Sequence, residues 1–173
     1  MKSLITSIIG TLISVQAMSQ VAAKSDVVNV ILPHGTSVIE KGNIERTVHT
    51  NFKRTSIPFD KENYFQSDGL IISFWDDKVN PEFNRKLDDI QPGILAVLKY
   101  NHDQVNFSKI ITVNGMRFLI YEYEKDNEVD LRFQSEFDKN NRDVLGVIQF
   151  KKPNEERGQQ YLQQLLQNMY HKD

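Results

Sequence analysis

The chain has 173 residues, with 21 basic and 23 acidic side chains, 39% hydrophobic and 10% aromatic content, and no cysteine. That length and composition suit one globular domain with a packed core and exclude a disordered or low-complexity chain. The missing cysteine removes disulfides, thiolate metal sites and cysteine nucleophiles, and a net charge of −2 leaves no basic footprint for nucleic acid.

The N-terminus is patterned unlike the rest. Lys2 precedes an apolar run from Leu4 to Val15, diluted by Thr6, Ser7, Gly10, Thr11 and Ser14, and small residues follow. That is the order of a secretory signal peptide. The run is about twelve residues, short of the ~20 a membrane-spanning helix needs, so no transmembrane anchor is expected in the mature form. Ala17 and Ser19 fill the two small-residue positions, which places cleavage between Ser19 and Gln20, with Ala23 as the fallback site. No cysteine follows that could carry a lipid. The expected product is exported, periplasmic or secreted: a signal peptide over 1–19 and a single α+β domain over 20–173, least clearly patterned over 20–68.

In the mature part, Val27 to Leu32 is a β-branched run stopped by Pro33 and Gly35, which predicts a short strand opening the sheet. From Thr36 to Ser67 the periodicity is poor; Val38 to Thr50 has room for one or two short strands, and the rest reads as loop. Gly69 to Trp75 predicts a buried strand. Asn80 and Pro81 then read as an N-cap and first helical residue, opening a helix with Phe83, Leu87, Ile90, Ile94 and Val97 at helical spacing. Pro92-Gly93 interrupts it, predicting either one kinked helix or two short ones, with a restart at Gln91 the easier geometry.

Asn106 to Glu124 predicts a hairpin, because its two strand-like runs meet at Asn114-Gly115, a pair that tolerates the positive φ angles of a type I′ turn. Val129 to Phe137 alternates, with Asp130, Arg132, Gln134 and Glu136 on the wetter side, and Val144 to Phe150 predicts a further strand. Pro153 to Glu156 opens a last helix, in which Tyr161, Leu162, Leu165, Leu166, Met169 and Tyr170 form one apolar stripe and glutamines cover the solvent side. The fold class is α+β: a mostly antiparallel sheet packed with helices.

Gln91-Pro92-Gly93-Ile94-Leu95, the hairpin Val113-Asn114-Gly115-Met116-Arg117-Phe118, and Gly146-Val147-Ile148-Gln149-Phe150 followed by an amphipathic helix resemble the Mog/PsbP-like superfamily of α/β/α sandwiches over roughly Gly69 to Tyr170. The resemblance implies a non-catalytic protein without a cofactor. Members serve as accessory subunits of photosystems, partners of small GTPases, or bacterial envelope and secretion-chaperone proteins, and they bring no active-site signature to transfer.

Several groupings invite chemistry. Glu122, Glu124, Asp126, Glu128 and Asp130 are dense enough for a hard cation, but Leu131 and Phe137 occupy the positions where a calcium loop needs its glycine and bidentate glutamate. A solvated hairpin end is the plainer reading. His34, His49, His102 and His171 have no ligand spacing to one another, and there is no G-x-S-x-G elbow. No metal or catalytic residue is therefore assigned.

Trp75 with Asp76 and Asp77 ends a strand where sites often form, although a core tryptophan followed by a turn at the two aspartates is the plainer reading. Tyr121 and Tyr123 form an interface patch if exposed; burial under a helix is the alternative. Trp75, Asp76, Asp77, Tyr121 and Tyr123 together make the candidate binding surface. The first functional expectation is thus an exported accessory protein that docks a protein or peptide through one sheet face or the loops around Asp76. The second is a periplasmic or secreted hydrolase or small-ligand-binding enzyme whose site gathers His34, His49, Asp76, Asp77 and His102 only in the fold.

Overall fold

The computed structural model describes residues 23–83 and 85–172; the predicted signal segment, with Ser19 and Gln20, lies outside the described residues. In chain order the elements are β1 (Val28–Val30), β2 (Ser37–Val38), α1 (Ile44–Asn51), β3 (Asn63–Ser67), β4 (Leu70–Lys78), α2 (Leu87–Tyr100), β5 (Gln104–Val113), β6 (Met116–Lys125), β7 (Glu128–Ser135), β8 (Arg142–Lys151), α3 (Glu155–Gln167) and β9 (Met169–His171). Seven strands form one antiparallel sheet in the order β2-β3-β4-β8-β7-β6-β5, and β1 pairs with β9 in a separate ribbon.

Local turn chemistry builds most of this sheet. Asn114 and Gly115 have φ of 51° and 76°, so the predicted hairpin forms as read, and Asp68-Gly69 and Asp126-Asn127 make the β3–β4 and β6–β7 turns with the same paired positive φ. The register then sets the faces, because alternate residues point to opposite sides. Phe74, Gly146, Phe133 and Ile120 share one face; Trp75, Leu145, Gln134 and Leu119 share the other.

On the first face lies the main core. Tyr161, Leu162, Leu165 and Leu166 of α3 pack on Ile148, Phe150 and their neighbours, each such burial contributing about 1.5–3 kcal/mol. The helix comes close because Gly158 sits under Phe150, where an added Cβ would lie 2.4 Å from the ring. On the second face a smaller core joins Ile44, Val48 and Phe52 of α1 and its following loop to Ile71 and Val147, while α2 covers β5 and β6. The helices therefore flank the sheet on both sides, and none among the described residues is long and apolar enough to cross a membrane.

Four expectations need correcting. The run at Val27 does not open the main sheet: it pairs with Met169–His171, which the sequence placed in the last helix. α3 stops at Gln167, and the chain turns back so that Met169 joins the same core as Val27 and Val28. Asn80 caps only a single 3-10 turn over Pro81–Phe83, its side chain accepting from the Glu82 N–H at 3.2 Å. The helix proper starts at Leu87, with Asp88 and Asp89 at its positive end, and runs through Pro92 without a restart at Gln91. Pro92 is tolerated because the carbonyl it deprives, on Asp88, lies on an exposed turn. Lastly, Val38 to Thr50, read as room for one or two short strands, holds most of α1 and only the end of β2, and the part read as loop holds β3.

Candidate functional site

The second face of the sheet carries most of the candidate residues. Trp75 and Asp77 lie there on β4, and Tyr121 and Tyr123 on β6, with β8 and β7 between them. Asp76 points the other way. Its carboxylate accepts from the Ser25 hydroxyl at 2.6 Å and from the Asp26 N–H, while the Ser25 oxygen accepts from the Val27 and Val28 N–H groups. Asp76 thus anchors the segment entering β1, and since β4 continues to Lys78, neither aspartate makes a turn.

Trp75 is half-buried, with the Lys61 ammonium 5.5 Å from its ring centroid. With Asp76, Lys61 and Lys172 it lines a shallow cavity of about 610 Å3. The tyrosines are covered rather than presented: Tyr123 is 7% exposed and Tyr121 half-buried, their rings stacked at 6.3 Å and 14°. Burial pushes both phenols above their ordinary range.

Between the two groups, the side of β7 that reads as wet is a buried polar network. Asp130 is fully buried and accepts from Arg54 Nη2 at 2.7 Å and Ser56 Oγ at 2.8 Å. Glu128 accepts from the Lys53 and Arg54 N–H groups at 2.6 and 3.0 Å, and Gln149 donates to the Arg54 carbonyl at 2.8 Å. These contacts buckle the loop after α1 onto the sheet. Burial raises the Asp130 carboxyl against the opposing pull of Arg54. Asp143 is also buried, its carboxyl pushed up to about 6 by desolvation despite a hydrogen bond from Gln134, with Asp77 adding repulsion.

The acidic hairpin does not converge. Glu122 and Glu124 take the first face, where Glu122 accepts from Asn106 at 2.8 Å and Gln159 at 3.0 Å and Glu124 pairs with Lys152. Glu128 and Asp130 take the second face, with the partners already given. Among the described residues no group of three His, Asp or Glu side chains is placed to hold a metal ion. His34, His49 and His102 are exposed on different elements. His49 lines a cavity beside Lys152, and Asp76 a different one, so the five residues gathered in the enzyme reading do not meet.

A feature the sequence gives no direct sign of lies on the first face. α3 covers its centre, leaving a groove of about 880 Å3 between α3 and the edge strand β5. Phe107, Ile111, Ile120 and Leu131 form its floor, Leu162 and Leu166 with Gln159, Gln160, Gln163 and Gln167 line its helix side, and Lys109 and Glu156 also line it. The only advance signal is that Phe107, Ile111 and Val113 alternate as core residues do, in a strand that turns out to be an edge.

No protein-family model matches the chain, and no curated protein is similar to it in sequence. Among solved structures, the solution structure of cyanobacterial PsbP (CyanoP) from Synechocystis sp. PCC 6803 matches with a TM-score of 0.56 and 9% identity, over 88% of this chain and 91% of that one. The fold is therefore PsbP-like: three helices packed on a seven-stranded antiparallel sheet.

Proposed function

We propose that this chain is an exported, non-catalytic accessory protein that docks a protein or peptide partner in the cell envelope through the groove between α3 and β5. The observation carrying this reading is the pairing of an apolar floor with an edge strand. β5 is 10 residues long, and an edge of that length offers a row of unpaired backbone donors and acceptors. Such an edge suits an extended segment that adds as a strand and places alternate side chains on the floor. One cation, Lys109, and one anion, Glu156, line the groove beside glutamine amides that both donate and accept, so the occupant is an extended stretch with apolar side chains at alternate positions and little net charge.

Export is supported by Lys2 and the Leu4–Val15 run. Binding over catalysis is favoured by the PsbP-like fold, an argument from analogy, and by the dispersal of the histidines. The test is in-cell crosslinking of tagged full-length protein, with mass spectrometry of the envelope fraction. One envelope partner recovered in near-equal amounts, a mature terminus at Gln20, and loss of that partner on Ile111→Glu in a folded variant are the expected results. Recovery of the protein alone, or a partner indifferent to Ile111→Glu, would overturn the reading.

A further inference from the structure

β5 ends the main sheet on one side, and its register with β6 fixes what that edge presents. The Asn114-Gly115 turn joins Val113 to Met116, the pair that closes a two-residue hairpin with both of its backbone hydrogen bonds. Bonded and unbonded pairs then alternate, so Val113, Ile111, Lys109 and Phe107 turn their backbone groups toward β6. Ser108, Ile110 and Thr112 turn theirs outward, and those N–H and C=O groups have no hydrogen-bond partner among the described residues.

β5 itself has the chemistry of the groove's occupant. In Phe107-Ser108-Lys109-Ile110-Ile111-Thr112-Val113 the apolar Phe107, Ile111 and Val113 alternate onto the first face, and Lys109 carries the one charge. The Lys109 ammonium lies over the Phe107 ring, 5.2 Å from its centroid.

We infer that a second copy of this chain pairs its β5 with β5, antiparallel about a two-fold axis at Ile110, joining the two seven-stranded sheets into one. An outward-facing residue bonds only to another that also faces outward. Of the two-fold registers this allows, the one centred on Ile110 alone uses all three residues: Ile110 faces Ile110 of the copy, and Ser108 faces Thr112. On the first face Phe107 then opposes Val113, and Lys109 opposes Ile111. A lysine on an edge commonly guards against pairing. Here it selects the register, because an axis at Lys109 would set two ammoniums directly opposite each other, and the axis at Ile110 does not.

α2 permits this approach. It connects to β5 through a short turn, so it runs antiparallel to the strand, and it lies over β5 and β6 with Gln91 donating to the Ser108 hydroxyl at 2.8 Å. Across the axis the two copies of α2 are about two strand spacings apart, roughly 10 Å, an ordinary helix-packing distance. Arg85 and Lys86 beside Asp88 and Asp89 balance the charge at the start of α2, so the end carrying Lys99 on the copy meets no like-charged block. One strand pair with its flanking helices is a modest interface, of the kind that stays in exchange. The pairing takes the edge that the docking reading gives to a partner, so copy and partner exclude each other, but it does not rest on that reading.

The chain has no cysteine, so single introduced cysteines test the register. Opposed residues of a bonded antiparallel pair lie about 5.5 Å apart at Cα, within disulfide range. Under mild oxidation of the purified protein, Ile110→Cys should form a disulfide dimer at least about tenfold faster than Thr112→Cys, which faces Ser108, or Asn140→Cys in the exposed β7–β8 turn. Because Ile110 is half-buried, sedimentation equilibrium supplies a second measurement. The unsubstituted protein should show a concentration-dependent dimer, weakened at least about tenfold by Thr112→Pro, which removes an outward N–H and no bond to β6. A protein that stays monomeric at millimolar concentration, a dimer indifferent to Thr112→Pro, or equal disulfide rates from positions 110 and 140 would overturn the inference. Neither assay contains a partner, so a monomer here leaves the docking reading standing, and failed crosslinking to an envelope protein leaves the dimer standing.

Discussion

Asp143 shows how a single residue sets the pH response. Its carboxyl is pushed up to about 6 in the folded protein, whereas the unfolded chain releases that proton near pH 4. Between those values the unfolded state has lost a proton the folded state keeps, so stability falls as pH rises through that window, by up to about 3 kcal/mol. Asp143→Asn removes the ionisation, and its stability relative to the parent should rise between pH 4 and 7, as read by urea melts at each pH. Parallel curves would show that Asp143 ionises freely. The sequence could not announce this. Asp130 and Arg132 sit at alternating polar positions that read as the wetter side, and Asp143 ends a stretch, Asp138 to Asp143, that reads as a polar turn; their burial follows from coverage by distant segments. Asn114-Gly115 was legible because its chemistry is contained in two residues.

At the scale of elements the same division holds. The β5–β6 hairpin, β7, β8 and α3 are written in local periodicity and turn residues. α1 is hidden because its apolar stripe is only Ile44, Val48 and Phe52, and β3 because Asn63-Tyr64-Phe65-Gln66-Ser67 is half polar. α1 and its loop are held down by side chains from β7 and β8, with Glu128 capping the backbone of Lys53 and Arg54. Glu128→Ala should therefore loosen residues 44–57 as a unit. Hydrogen exchange there should quicken by about 10- to 100-fold, the equivalent of roughly 1.5–3 kcal/mol, while the β5–β6 hairpin stays protected. Uniform acceleration across the sheet would mean that α1 and the sheet unfold together.

For the whole molecule, the sheet separates two unlike surfaces. One face is closed at its centre by α3 and the β1–β9 ribbon and left open toward β5; the other holds a polar network between α1 and α2. The sandwich layout was readable from the order of the elements, which is why the Mog/PsbP-like resemblance agrees with the measured similarity to CyanoP. The groove was not readable, because it depends on how far α3 reaches across the sheet. The most direct measurement of the docking account is photo-crosslinking in cells, with p-benzoylphenylalanine placed at position 111 on the groove floor or at position 140 in the exposed β7–β8 turn. The account expects one defined adduct from position 111, joined to an extended apolar segment of the partner, and none from position 140. Equal adducts from both positions, or none from position 111, would contradict it.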